Sequence, residues 1–387
     1  MRRKPLNCRA PRAPLLILLV TLPAGLLRSG DSEGFTPHHH SRFLGAASCA
    51  SSSCHGGGDS NQNQYLIWAL KDFHAQRPFA TLTTARSKQI ADALQIKDPA
   101  ADIRCTSCHA PLRQVPEDRR GESFKVSEGV SCESCHGPAE NWLLGHTRTD
   151  WTRGDRVHAG MRDLKNPYVR ANTCVACHQT LESPLRMAGH PELIFELDGQ
   201  GVSQPMHWRN PAHWSGAQAW LVGQAAALRE MSWQLSRENA PDETLIARWS
   251  GLQWLLQKLD SAGLDLPKPG IPADASTEPD FAAVQMVADN LARHASEIRW
   301  SDEMTRSVLT TLAASGADFR QSEIPQVRQA RRAERLVLAL DRLLAAQPHP
   351  EAEGALDDLF KLVQSLPDFD AERFSVALDR CSEAVGR

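Results

Sequence analysis

The segment GVSCESCHGP at residues 129–138 contains two cysteines two residues apart, with a histidine directly after the second. The same Cys-x-x-Cys-His spacing recurs as CTSCH at residues 105–109 and as CVACH at residues 174–178. A wider version, CASSSCH, occupies residues 49–55. The 387-residue chain has 10 cysteines and 15 histidines, and these four motifs contain most of the cysteines. The chemistry of this segment therefore decides what the chain can do.

Cys-x-x-Cys-His is the attachment motif of c-type haem. Both thiols add to the haem vinyl groups, and the adjacent histidine supplies the proximal imidazole to iron. The motifs predict four covalently attached haem c groups. The predicted attachment cysteines are Cys49, Cys54, Cys105, Cys108, Cys132, Cys135, Cys174 and Cys177, and the predicted proximal iron ligands are His55, His109, His136 and His178.

Two alternatives compete with haem. Paired Cys-x-x-Cys units also build zinc sites, but zinc gives no reason for a histidine after every second cysteine. Disulfides are common in exported proteins, although cysteines two residues apart are poor partners outside redox folds. Of the remaining cysteines, Cys8 falls near the N-terminus, and Cys381 lies in a predicted C-terminal helix as a buried thiol.

The N-terminus resembles a secretory signal peptide over residues 1–30. Basic residues precede an apolar run from Leu15 to Leu27, and this order of basic and apolar regions is typical of signals. The run is shorter than the roughly 20 residues that span a bilayer. An uncleaved N-terminal anchor is the alternative. In either case we expect export, to the periplasm in a bacterium.

Length and charge set further limits. A chain of 387 residues is long enough for two or three domains. The formal net charge is -3, so nothing in the overall charge favours nucleic acid as a partner.

Three local stretches carry a resemblance to the tetrahaem cytochrome c-554 family of electron-transfer proteins. They are residues 68–82, where Trp68 precedes His74, the run at 129–138, and the last motif at 174–178. The resemblance implies closely stacked haems whose irons mostly have two histidine ligands. It makes His146 the distal ligand at Cys49/Cys54, and His74 the distal ligand at Cys174/Cys177.

By the same resemblance, a histidine after the last motif serves the Cys132/Cys135 haem, and His190 is the candidate. The Cys105/Cys108 haem is left five-coordinate in the family. The resemblance does not cover the wider first motif or the last 170 or so residues.

The surroundings of the other histidines indicate their roles. His190 is flanked by a glycine and a proline, which let the backbone approach a ring closely. His158 is either a surface residue or the ligand of the fourth iron. His207 and His213 lie beside tryptophans, where aromatic packing or solvent exposure is the simpler reading, and His38–His40 reads as a solvated tail. His294 and His349 fall among predicted helices and read as structural.

The predicted fold is mainly α. Residues 31–215 read as a loop-rich tetrahaem domain, with short helices near 62–74 and 84–96. From 216 to 387 the spacing of apolar residues predicts antiparallel helix pairs. The predicted helices span 217–237, 243–259, 280–299, 302–315, 323–346, 352–366 and 370–385, with a Pro-rich linker near 266–279.

Electron transfer through bis-histidine haems is the leading functional hypothesis, with redox proteins as donor and acceptor. The rival is a haem enzyme that reduces a small nitrogen oxide at an open iron of the Cys105/Cys108 haem. The helical extension carries no catalytic motif. It is a candidate scaffold, an interface for a membrane-associated respiratory complex, or a homo-oligomer contact.

Overall fold

The computed structural model describes residues 40–238, 243–267 and 280–386. The predicted signal peptide, Cys8, His38 and His39, and most of the predicted linker lie outside the described residues. Within them, no strand forms, and Phe43 and Arg120 make one isolated β-bridge. The mainly α prediction is confirmed. No helix in these ranges is both long and apolar enough to cross a bilayer.

Short helices joined by loops make up residues 40–215, which we call the motif region. Most of them are too short to be stable alone, and side-chain caps such as Asp72, Thr84 and Asp102 define their starts. The helices are α1 Gln64–Lys71, α2 Phe73–Thr81, α3 Ala85–Ala93, α4 Ile103–His109, α5 Cys132–His136, α6 Arg153–His158, α7 Pro167–His178, α8 Ser183–Met187 and α9 Leu197–Ser203.

The predicted helix over 62–74 is wrong at its C-terminal end. α1 stops at Lys71, and the Asp72 carboxylate accepts a hydrogen bond from the backbone N–H of His74 to start α2. Leu70 and Phe73, which precede His74 in the predicted helix, are 75% and 57% exposed and form no buried apolar face. His74 is therefore positioned by a cap at the start of a helix and not by the end of one.

Longer helices form the remainder, which we call the helical bundle. Its core is built from leucine and alanine at helical spacing, with the side chains of Trp220 and Phe374 fully buried. The helices are α10 Gly216–Leu235, α11 Glu243–Lys258, α12 Phe281–Glu297, α13 Asp302–Ala313, α14 Gln326–Ala346, α15 Pro350–Val363 and α16 Ala371–Val385. Each predicted helix of this part is found, with ends within three residues, and Cys381 is buried in α16 as expected.

The described residues, 40–238, 243–267 and 280–386, belong to one compact unit. Ala171 and Val175 of α7 join the core of the bundle, and the Tyr168 hydroxyl donates a 2.7 Å hydrogen bond to Asp289 of α12. The motif region thus packs on the bundle through α7. The boundary at 215/216 stays a prediction.

Candidate functional site: a histidine-lined cavity

Local helix geometry explains why the three standard motifs present their side chains together. In α4, in α5 and at the end of α7, the cysteines and the histidine occupy positions i, i+3 and i+4 of a helix, which share one face. The wider first motif differs, since its first cysteine ends a 3-10 turn at Ala46–Cys49 and turns carry the chain on to His55. The two extra residues of its spacer are thus accommodated in turns and not in a helix.

The 129–138 run is shaped by two glycines and one glutamate. Gly129 and Gly137 have φ of +68° and +85°, backbone conformations that glycine adopts without strain. The buried Glu133 carboxylate accepts hydrogen bonds from the backbone N–H groups of Gly45 and Ala139, both at 2.7 Å. Glu133 therefore ties the segment that leads into the first motif to the third motif, a role that the motif spacing alone did not indicate.

All four motifs contribute to the wall of one cavity of about 1930 Å³. This is larger than the roughly 300–1,000 Å³ of ordinary small-molecule pockets, so the cavity has room for more than one large planar group. Seven of the eight motif cysteines line it, and Cys54 is exposed. The histidines in its wall are His55, His74, His109, His136, His146, His178, His190 and His207.

Three histidine pairs face each other across this cavity. Ring centroids are 6.0 Å apart for His55 and His146, 6.0 Å for His178 and His74, and 6.3 Å for His109 and His190. A metal–imidazole nitrogen bond is about 2 Å, so two imidazoles on opposite sides of one iron have centroids about 6 Å apart. The spacing of each pair therefore fits a single iron between the rings.

Hydrogen bonds at Nδ1 fix the orientation of these rings. A ligand that binds metal through Nε2 usually donates its Nδ1–H to a carbonyl, amide or carboxylate oxygen. Five of the paired rings have such an acceptor within 2.9 Å. The pairs are His55 with Gln64 Oε1, His74 with Asp72 Oδ1, His109 with the Pro78 carbonyl, His146 with the Leu143 carbonyl, and His190 with the Pro191 carbonyl.

His136, the motif histidine that is not in one of these three pairs, is the most deeply buried. Burial lowers the pKa of its imidazole to about 4, and His207 makes the largest contribution among its ionisable neighbours. Burial likewise lowers the pKa of His207. Both rings line the cavity, and a neutral imidazole is the form that binds metal. The aromatic packing expected for His207 is present, since its ring contacts Trp208 with centroids 5.2 Å apart. No local sequence pattern indicated its place in the cavity wall.

The structure places one predicted distal ligand beside a different motif, and it places His158 at the surface, one of the two positions predicted for it. His190 was expected opposite His136, but the structure places it beside His109, because α8 and the turn at Gly189, with φ of +99°, carry the chain back toward α3 and α4. His158 is not brought to the cavity. A capping box between Thr152 and Asp155 starts α6, and His158 ends that helix with an exposed side chain.

Contacts between thiols show which motifs are neighbours. Cys49 of the first motif pairs with Cys132 of the third, and this hydrogen bond lowers the pKa of Cys49 while it raises that of Cys132. Cys108 pairs with Cys177 in the same way, which lowers the pKa of Cys108 to about 7. The motifs therefore lie in two adjacent couples, first with third and second with fourth.

The zinc alternative finds no support in this geometry. Among residues 40–238, 243–267 and 280–386, no group of three or more His, Cys, Asp and Glu side chains is arranged to hold a metal ion. No two of the motif cysteines, all of which lie within the described residues, are joined by a disulfide. The donor set, with paired imidazoles about 6 Å apart and thiols beside them, fits haem c.

Comparison with known proteins agrees with this chemistry over part of the chain. Residues 33–137 match the family model described as cytochrome c554 and c-prime. The match covers the first three motifs and supports a c-type cytochrome with covalently bound haem that transfers electrons. No curated protein and no solved structure matches the chain.

Proposed function

We propose that this protein is a tetrahaem electron carrier of the periplasm, in which every iron has two histidine ligands. One-electron transfer is the chemistry that haem supplies when it is bound. The chain's own part is to attach each group through two cysteines, to provide both axial imidazoles, and to hold the attachment sites close together.

The observation that carries this proposal is the 6.0–6.3 Å separation of three histidine pairs around one cavity. These pairs would supply both axial ligands to haems attached at Cys49/Cys54, Cys174/Cys177 and Cys105/Cys108. An iron that keeps both imidazoles in both oxidation states needs little rearrangement on electron transfer. We assign His207 to the remaining haem, opposite His136.

The adjacent couples of motifs support a relay. The side chains of Cys49 and Cys132, and those of Cys108 and Cys177, are in contact. Haems attached to these cysteines would therefore have their attached edges close together. Electrons pass efficiently between such close neighbours. A difference of only about 59 mV in reduction potential between two one-electron sites gives a tenfold equilibrium preference for one direction of transfer.

The enzymatic alternative requires an iron with an open face. The Cys105/Cys108 haem was the candidate, but His190 lies beside its proximal His109 at the distance that fits a second axial ligand. Ligation by His190 closes that face. The geometry therefore favours the carrier over a reductase of small nitrogen oxides.

Two measurements on the purified holoprotein test the proposal. The intact mass should correspond to four haems on a chain without residues 1–30. Carbon monoxide added to the reduced protein should leave the absorption spectrum unchanged. A mass with fewer than four haems would contradict the count, and a carbon monoxide shift would contradict the closed irons and favour the enzyme.

A further inference from the structure

Helix α9, Leu197–Ser203, lies between the cavity and the helical bundle. One side of this short helix lines the cavity through Leu197, Gln200 and Gly201. Its N-terminal residues contact α10 and α14 of the bundle. The helix therefore touches both the candidate haem site and the extension to which the sequence assigns no role.

On the cavity side, α9 reaches both members of one histidine pair. The side-chain amide nitrogen Nε2 of Gln200 lies 3.3 Å from His178 Nδ1, and the buried Oε1 of the same amide has no hydrogen-bond partner. If His178 binds metal through Nε2, its Nδ1 carries a proton, and a half-turn of the Gln200 amide would bring Oε1 within reach to accept it. Gln204, directly after the helix, donates a 2.7 Å hydrogen bond to Asp72 Oδ2, and Asp72 Oδ1 lies 2.9 Å from His74 Nδ1. Asp72 is buried and therefore depends on these partners.

On the bundle side, charged pairs hold the start of α9. Arg342 of α14 donates a 2.9 Å hydrogen bond from Nε to Asp198 Oδ2, and the Asp198 side chain is only 8% exposed. Arg335, also on α14, lies 3.3 Å from Glu196. The buried Arg342–Asp198 pair favours one defined arrangement, because moving either member leaves a charge without its partner.

A glycine on α10 allows α9 to approach closely. A Cβ atom added to Gly223 would lie 2.7 Å from Cβ of Leu197, closer than two carbon atoms can pack. The bundle thus offers a surface shaped to receive the first residue of α9. A larger residue at 223 would displace that helix.

We propose that the helical bundle positions α9 so that Gln200 and Gln204 orient the two axial imidazoles of the Cys174/Cys177 haem and set its reduction potential. This rests on the proposed function. A hydrogen bond accepted from Nδ1–H increases the electron-donating power of an imidazole. That favours the oxidised iron, so loss of these contacts raises the potential. Asp72, Gln200 and Gln204 act through the histidines, and Arg342 acts through α9.

The matched pair Gly223→Ala and Gly354→Ala tests the positioning role in the full holoprotein. Both glycines lie in helices, so both changes gain helix propensity, and a Cβ at Gly354 meets nothing within 4 Å. We expect Gly223→Ala to shift the equilibrium between oxidised and reduced forms of one haem by roughly threefold to tenfold, up to 59 mV. One low-spin signal in the electron paramagnetic resonance spectrum should move with it, and Gly354→Ala should change neither.

A double-substitution cycle provides the second readout and does not depend on the folding of Gly223→Ala. Arg342→Gln and Gln200→Leu should each raise the potential of the same haem. If Arg342 acts through Gln200, Arg342→Gln should have a much smaller effect in the Gln200→Leu background. Equal effects in both backgrounds, or unchanged potentials in every variant, would overturn the proposal.

The haem content of each variant separates this proposal from the proposed function. Four haems with unshifted potentials refute the role of α9 and leave the carrier intact. A wild-type protein without four low-spin haems refutes the carrier itself.

Discussion

The motif region and the helical bundle differ in what fills their interiors. In the bundle, α10, α11 and α14 bury leucine, alanine and tryptophan against each other. In the motif region, α1 has no buried residue, and Leu70 and Leu144 are 75% and 83% exposed. The motif region is organised around the cavity that its cysteines and histidines line. Its interior is therefore expected to be the prosthetic groups, and the bundle's interior is its own side chains.

The largest expected effect comes from preventing haem attachment. Replacing all eight motif cysteines by serine should leave the bundle helical and unfold most of the motif region, since its short helices lose the groups they surround. Hydrogen–deuterium exchange should show fast exchange in residues 40–165 and continued protection in α10 and α14. Protection retained equally in both regions would show that the motif region does not depend on haem.

A cavity introduced into the bundle core should destabilise the bundle and leave the haem sites unchanged. Leu340 of α14 is fully buried, and Leu340→Ala should reduce the free energy of unfolding by roughly 2–5 kcal/mol. Val327→Ala on the same helix is the matched control, because Val327 is 40% exposed, and it should cost about 0.5 kcal/mol or less. Denaturant titration followed by far-ultraviolet circular dichroism measures both. The haem absorption spectrum of the folded Leu340→Ala protein should stay unchanged.

The two regions meet at a buried carboxylate with an unusual pKa. Burial raises the pKa of Glu196 to about 7, although Arg335 opposes the shift. The folded state then holds a proton that the unfolded chain releases near pH 4.5, so this group's contribution to stability is complete below that pH and is lost as the pH rises through 7.

Comparison with Glu196→Gln isolates this contribution. Between pH 5 and pH 8, the wild-type free energy of unfolding should fall relative to the variant by up to roughly 3 kcal/mol. Chemical denaturation at several pH values measures the difference. Parallel pH profiles for the two proteins would show that Glu196 is ionised throughout.

A single axial ligand should give the most local effect. His190→Ala should open the iron at Cys105/Cys108, so that the reduced variant binds carbon monoxide while its stability changes little. His158→Ala is the control, because the His158 side chain is exposed at the end of α6. Absorption spectra with and without carbon monoxide distinguish them. A His190→Ala protein that does not bind carbon monoxide would remove His190 from the ligand set.

The two regions also differ in how far the sequence predicts them. Apolar periodicity placed α10 and α14 to within three residues, because buried helices repeat their pattern over several turns. The break at Asp72 was missed, since a single capping side chain decides it. The partners His55 with His146 and His178 with His74 were anticipated through resemblance. The positions of His190 and His207 depend on how loops after the last motif return to the cavity, which no local pattern encodes.

Near-infrared magnetic circular dichroism of the oxidised full-length protein tests the central claim most directly. Its intensity counts bis-histidine low-spin irons for each polypeptide. The three histidine pairs, together with His136 and its proposed partner His207, predict four such irons and no high-spin iron. A high-spin iron, or fewer than four bis-histidine irons per chain, would contradict the carrier with closed axial sites.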